Sequence, residues 1–346
     1  MVKILKNKQS LFWAGLLFAQ FLLFYIFSKN EIIVQQFTAF FHFKKEFKNE
    51  LFSHFKYSFG DIFYIIFIFF LLLFLFKSIK NSNFRVLLII LNISYFIYQI
   101  SWGMLYFQKP LYDKNKVEIS PKELEKLTLK YIALTNQERK KIETKHDVFK
   151  IKNIEVLNSS ILHSQKRLPK EYYPFKTSNI DNFKASLFNP LISYTGILGY
   201  YNPFTTEAQY NAELPHTYIP FTLSHESAHQ LGFAREQEAN FIGFLICENS
   251  NNSELKYSAY LYATKSLVNA LRNTNPEFAA QATLFLSQEV KNDLKNEQLF
   301  KEKNDSFIAE IFYFTNDIFL KSNQQEGSVT YSYFIDLLVL YERRKA

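Results

Sequence analysis

The chain has 346 residues, enough for one large or two ordinary domains, and 18% of them are aromatic. Its net charge of +8 is carried by residues 1–109, where 12 Lys+Arg face 4 Asp+Glu; residues 110–346 hold 28 of each, which excludes the basic face that nucleic acid requires. The single cysteine, Cys247, excludes an internal disulfide framework.

Apolar residues concentrate in the first third. Residues 11–28 (LFWAGLLFAQFLLFYIFS) carry no charge, residues 62–76 are nearly all Phe, Ile and Leu, and residues 86–107 are again uncharged. A helix needs roughly 17–25 apolar residues to cross a bilayer core. The second segment therefore extends back to Ser58, with Asp61 near the interface. The first has a lysine-rich start (Lys3, Lys6, Lys8) like a signal peptide, but its apolar run exceeds the roughly 7–15 residues of such a leader, and no small-x-small cleavage site follows. Three transmembrane helices are expected, at about 11–28, 58–76 and 86–107, with Trp102 and Tyr106 in an interfacial aromatic belt. Residues 77–85 hold three basic residues in nine, whereas the longer connection, residues 29–61, holds five in 33, diluted by acids. The positive-inside rule then puts the N-terminus in the cytoplasm and residues 110–346 outside the cell (inner) membrane.

Beyond the anchor, Ser120 is placed to cap a helix with Pro121 at its first position and Glu123 completing a capping box. Leu124, Leu127, Tyr131 and Leu134 follow at helical spacing, and a second helix is expected over residues 147–163. Residues 174–220 alternate Gly, Pro, Asn and Thr with β-prone pieces at 191–201 and 207–214, read as two or three strands. Helices resume over 241–248, 253–273 and 277–294, with two more starting near Asp305 and Val329.

The stretch FTLSHESAHQLGFAREQEANFIG carries the chemistry. His225 and His229, at i and i+4 on a helix, leave one face a turn apart, so both imidazoles can reach a single Zn²⁺ at about 2.0–2.1 Å. Glu226 lies beside that ion rather than on it, where it can take a proton from water. A catalytic zinc needs a third protein ligand, and Gly232 permits a reversal that brings a second helix, starting near Ala234 or Arg235, back under the metal. Helical phase favours Glu236 as that ligand, with Asn240 on the same face to support a histidine; a displaced helix start brings Glu238 instead.

HESAH followed by EQEAN resembles the zincin metallopeptidases of the gluzincin type. That resemblance implies a glutamate ligand on a later helix with Asp or Asn four positions on, which falls on Glu236 and Asn240. The interval from His229 to Glu236 is shorter than in the better-known gluzincins, and the third histidine of a metzincin would fall on Arg235. Nearly the full chain is similar to a bacterial membrane family, domain of unknown function 3810: a helical anchor, a GYYNPFTTEAQYN-like segment, the HExxHQxGFAREQEANF block and a Tyr-rich C-terminal helix. A zincin sheet offers an edge on which an extended peptide can pair, here 197–201 or 207–211. His216, Tyr331 and Tyr333 are candidates to stabilise an oxyanion; His42, His54, His146 and His163 stand alone in the sequence.

The expectation is an α+β, mostly helical chain: residues 1–109 a three-helix membrane anchor, and residues 110–346 an extracytoplasmic zincin-like domain with a small sheet. Its function would be zinc-dependent hydrolysis of peptide bonds in the cell envelope, with one Zn²⁺ on His225, His229 and Glu236 and Glu226 as general base. Its partners would be a peptide or protein substrate and the lipid bilayer, without nucleic acid. The alternative is an inactive zinc-binding envelope scaffold. Cleavage inside the membrane is disfavoured, because Pro215, Pro220 and Gly232 interrupt a polar stretch unsuited to a bilayer.

Overall fold

The structure, a computed structural model, describes residues 2–112, 117–143, 148–175, 179–323, 325–327 and 333–345. It opens with α1 (Val2–Ser28), α2 (Glu31–Phe52), α3 (Phe59–Asn81) and α4 (Arg85–Ser101). α1 and α3 contain the stretches Lys8–Ser28 and Phe59–Asn81, each long and apolar enough to cross a membrane and each with very few buried residues. Such surfaces suit lipid rather than water.

The third expected span, 86–107, is not one long helix. α4 stops at Ser101 after 17 residues, where Trp102 leaves helical geometry, and Gly103–Phe107 forms a 3₁₀ turn. Trp102, Leu105 and Tyr106 are core residues, packed with Phe41 and Ala234 rather than set in an interfacial belt. Among the described residues, two helices are therefore of spanning length and apolarity, not three. The apolar run looks continuous because a lipid-facing helix and a buried turn draw on the same residue types.

α4 runs back beside α1. Asn92 Nδ2 donates to Trp13 O at 3.0 Å and Gln20 Nε2 donates to Asn92 Oδ1 at 2.8 Å. The connection read from sequence as an open loop contains α2, capped by Asn30, whose Oδ1 accepts from Ile32 and Ile33 N–H. Its lysines turn inward: Lys44 Nζ donates to Ile100 O, Lys45 Nζ to Tyr173 Oη and Lys48 Nζ to Pro203 O.

The remaining chain is mostly helical around a small sheet. α5 (Pro121–Lys140) starts as expected, with Ser120 Oγ accepting from Glu123 N–H at 3.2 Å. α6 (Ile154–Gln165) starts later than residue 147, because Asn153 Oδ1 caps it through Val156 N–H. Next come β1 (Phe183–Ala185), α7 (Asn189–Ser193), β2 (Gly199–Asn202), β3 (Glu207–Tyr210), α8 (Ile219–Gln230) and α9 (Glu236–Glu248). α10 (Ser253–Thr274), α11 (Pro276–Leu284), α12 (Gln288–Asn304), α13 (Phe307–Ser322) and α14 (Phe334–Lys345) complete it. The helix expected over 277–294 is two helices, Ser287 capping the second. Sheet order is β1-β3-β2, with β1 parallel and β2 antiparallel to the central β3, so β2 is an edge. Leu223, Phe241, Phe244, Leu245, Leu267, Phe334 and Leu338 are buried in the main core.

The sheet grips the N-terminus of α3. Glu207 is fully buried and its carboxylate accepts from Phe59 N–H (2.8 Å), Gly60 N–H (2.6 Å), Ser58 Oγ (3.2 Å), Lys184 Nζ (2.8 Å), Thr205 Oγ1 (2.9 Å) and Gln209 Nε2 (3.1 Å). A carboxylate is favoured at a helix N-terminus by the free N–H groups and the helix dipole. Asp61, one residue after Gly60, accepts in turn from Leu187 N–H at 2.7 Å and Tyr200 Oη at 2.5 Å. Glu207→Ala is expected to lower unfolding stability by about 3–5 kcal/mol, because it leaves Lys184 buried and uncompensated. Glu50→Ala, at an exposed position, should stay within about 0.5 kcal/mol. Denaturant unfolding of the detergent-solubilised full chain measures both.

Candidate metal centre

α8 is a core helix rather than a solvated one. Every residue from Ile219 to Gln230 except His225 is buried. A buried polar group is costly without a hydrogen bond, and α8 meets that demand with Ser224 Oγ to Pro220 O, Gln165 to Ser227 Oγ, and Gln230 Nε2 to Thr206 O. His225 and His229 share the face turned to α9, their rings 4.7 Å apart and nearly perpendicular.

The helix ends in a Schellman turn: Gly232 N–H donates to His229 O and Phe233 N–H to Ala228 O. Gly232 has φ +102°, which a side chain would strain. The turn also lays the Phe233 carbonyl 2.6 Å from His229 Nδ1. With that nitrogen donating, the His229 Nε2 lone pair is directed at Glu236.

α9 begins at Glu236, with Arg235 extended at its N-cap and Gln325 Oε1 accepting from Glu236 N–H at 3.1 Å. Glu236, Asn240, Gly243 and Cys247 share the face against α8. A Cβ at Gly243 would sit 2.9 Å from His225 N and 3.0 Å from its Cα, and Cys247 Sγ meets Ser224 Oγ at 3.1 Å. This close approach puts Glu236 Oε2 3.3 Å from His225 Nε2 and Oε1 3.8 Å from His229 Nε2. The ligand atoms of His225, His229 and Glu236 all lie within 4.8 Å of one another. Neighbouring ligands of a tetrahedral zinc are about 3.3 Å apart, so the donor set suits such an ion, which would draw these atoms closer together. Glu238 is engaged elsewhere: its Oε1 accepts from Leu111 N–H (3.0 Å) and Arg235 Nη1 (3.1 Å).

The four ionisable groups are pushed in different directions. Burial pushes His225 down, but its bond to Glu236, the charges of Glu226 and Glu236, and Asn240 leave its pKa raised. Burial lowers His229 to about 4 against the pull of Glu236. Burial raises Glu226 to about 8, with the charge of Glu236 adding and that of His225 opposing. Glu236 is pushed up by burial, yet its bond to His225 and the charges of both histidines bring it below the usual carboxylate range.

Two aromatic rings, which the motif itself does not contain, wall the cluster. Trp102 meets His229 edge-on with centroids 5.7 Å apart, and Tyr201 stacks on it at 6.3 Å. Edge strand β2 passes over Glu226: a Cβ on Gly199 would lie 2.6 Å from Thr222 Cγ2 and 3.1 Å from Glu226 Oε1. Of the oxyanion candidates, His216 accepts from Ile151 N–H, Tyr333 bonds Glu326, and Tyr331 lies outside the described residues. His42 stacks on Phe175 and His54 is exposed, whereas His146 lies outside the described residues.

A fold with this paired-helix His/Glu cluster now has a family. Residues 37–339 match the profile of protein of unknown function DUF3810, and the chain belongs to that family. Neither a curated protein nor a solved structure matches it.

The Gly243 contact is testable. Gly243→Ala should cost about 1–3 kcal/mol of stability by forcing α9 off α8, read as a lowered unfolding midpoint in detergent. An unchanged midpoint would mean that the two helices tolerate separation.

Proposed function

We propose that the protein is a membrane-anchored zinc metallopeptidase that hydrolyses peptide bonds on the extracytoplasmic side of the membrane. The observation that carries this reading is the convergence of His225, His229 and Glu236 with Glu226, the adjacent carboxylate, left outside the ligand group. His225, His229 and Glu236 would hold one zinc ion, which when bound would supply Lewis-acid polarisation and acidification of a water. The Glu226 carboxylate is placed to take a proton from the attacking water and return it to the leaving amine. The Phe233 carbonyl holds the His229 tautomer, and Trp102 and Tyr201 keep water from its outer face. β2 has an unpaired edge beside Glu226, where an extended substrate backbone can add as a strand.

The side of the membrane follows from charge. Lys77 and Lys80 lie in the last turns of α3 and Arg85 opens α4, at the end away from the sheet, and Arg85 bonds Gln9 near the start of α1. Basic residues at that end favour a cytoplasmic N-terminus and an extracytoplasmic domain.

Full-length protein purified without chelator is expected to carry about one zinc per chain, measured by elemental analysis. Glu226→Gln should retain that zinc while cleavage of a quenched-fluorescent peptide library falls by about 10²–10⁴-fold. A folded preparation that neither holds zinc nor takes it up removes the reading. Full zinc with no cleavage by the unaltered chain would favour the scaffold alternative.

The ligand assignment has its own test. Glu236→Ala should lose tight zinc binding, whereas Glu238→Ala should keep it despite losing the bonds to Leu111 and Arg235. Asn240→Ala should weaken zinc by about 10–100-fold, as loss of a group behind a ligand does. Zinc retained in Glu236→Ala and lost in Glu238→Ala would reverse the assignment.

A further inference from the structure

α13, which comes just before the C-terminal core helix α14, buries almost nothing. Of its 16 residues only Leu320 is buried, while Phe307 is 73% and Phe314 65% exposed. Its residues fall into three sectors at helical spacing. Ala309, Phe312, Asn316 and Leu320 turn to the protein, and Glu310, Tyr313, Asp317 and Lys321 form a polar strip that includes a 2.7 Å Asp317–Lys321 ion pair. The third sector is Phe307, Ile308, Ile311, Phe314, Ile318 and Phe319, all exposed, together with Thr315 and Ser322, whose hydroxyls bond back to helix carbonyls.

We propose that α13 is an interfacial helix lying in the plane of the membrane, with Phe307, Ile311, Phe314 and Ile318 in the acyl chains of the leaflet next to the folded domain. Four observations select lipid as the occupant. At 16 residues the helix is about 24 Å long, shorter than a bilayer core of about 30 Å, and its polar strip needs water along its whole length. That combination of a long apolar face, a charged strip and no buried core is the pattern of a helix that lies in an interface.

The face is also continuous with the candidate spans. At one end Tyr98 Oη, near the end of α4, donates to Asn323 Oδ1, and Phe319 packs on Tyr106. At the other, Ser306 Oγ donates to Tyr194 O, just after α7; the segment leading into α7 donates through Leu187 N–H to Asp61 in the first turn of α3. α13 thus bridges the C-terminal end of α4 and the N-terminal end of α3.

α2 repeats the pattern independently. It packs on the same Trp102–Tyr106 turn through Phe41. It sends Lys44, Lys45 and Lys48 into the protein while Phe43 and Phe47 stand 78% and 69% exposed. A helix facing water does the reverse, with aromatic rings inward and lysines outward.

The lipid-held helix also reaches the cluster. Gln325, three residues past α13, accepts the Glu236 backbone N–H, so seating α13 on the bilayer positions the first residue of α9.

Bimane-labelled Phe314→Cys, Ile318→Cys, Glu310→Cys and Tyr313→Cys variants of the full chain, reconstituted into phosphatidylcholine–phosphatidylglycerol vesicles, test the proposal. Cys247 is buried and stays unlabelled, and all four positions are exposed, so folding is not at stake. Labels at 314 and 318 should lose most of their emission to acyl-chain nitroxide lipids and little to aqueous iodide, and labels at 310 and 313 the reverse. Iodide quenching at 314 and 318 would overturn the proposal. So would protection from both quenchers that disappears on dilution with empty lipid, the result expected if a second copy of the chain covers this face.

Discussion

The carboxylate of Glu207 holds the architecture together. It closes the N-terminus of α3 and pairs with Lys184 on the neighbouring strand, so sheet and apolar helix share one buried charge. The residue before it, Thr206, has φ +60°, a conformation that costs a β-branched residue on the order of 1–3 kcal/mol. The Thr206 carbonyl accepts from Gln230, the last residue of α8. Two successive residues therefore face opposite ways, one to the apolar helix and one to the histidine helix. The strain persists because the Glu207 bonds on one side and the Gln230 bond on the other over-determine the turn.

That coupling gives the histidine helix a rigid base, and α9 closes on it from the other side. What distinguishes the two glutamates near the histidines is surroundings rather than chemistry. Glu236 sits at the first position of a helix, where free N–H groups favour its charge, and it faces both imidazoles, so its proton is lost readily. Burial is what chiefly raises Glu226, with the charge of His225 opposing and that of Glu236 adding. Two adjacent carboxylates thus have opposed shifts, the arrangement that separates protonation roles where two carboxylates share a small volume.

Legibility in the sequence tracked locality. The Ser120 cap, the helical phase that favours Glu236 over Glu238, and the Gly232 turn depend on residues within a few positions, and the structure forms each from those residues. α2 was missed because its pattern is inverted: lysines amid phenylalanines read as a polar loop until Ile100, Tyr173 and Pro203 supply their acceptors. β1 is three residues long and pairs in parallel with a strand more than twenty positions on, so no local alternation marks it. Trp102 and Tyr201 reach His229 from distant segments, one of them inside a stretch that composition alone assigns to lipid. Gly243 did leave a trace: it lies seven residues after Glu236, on the same helix face, and a residue without a side chain there signals close helix approach.

The cluster also differs from ordinary buried polar structure in what it leaves unpaired. Along the rest of α8, Ser224 and Ser227 each find a protein partner, and Gln230 finds one for its Nε2 but not for its Oε1. At the cluster itself His225 Nδ1, Asn240 Nδ2 and the Tyr201 hydroxyl are buried without a hydrogen bond. Each lies on a residue that interacts with a histidine of the group: Asn240 raises the pKa of His225, and Tyr201 stacks on His229. Gln209 and Gln230 also carry a buried unpaired Oε1, so what sets the cluster apart is where its unpaired atoms lie: on or beside the residues whose donor atoms stand within 4.8 Å of one another.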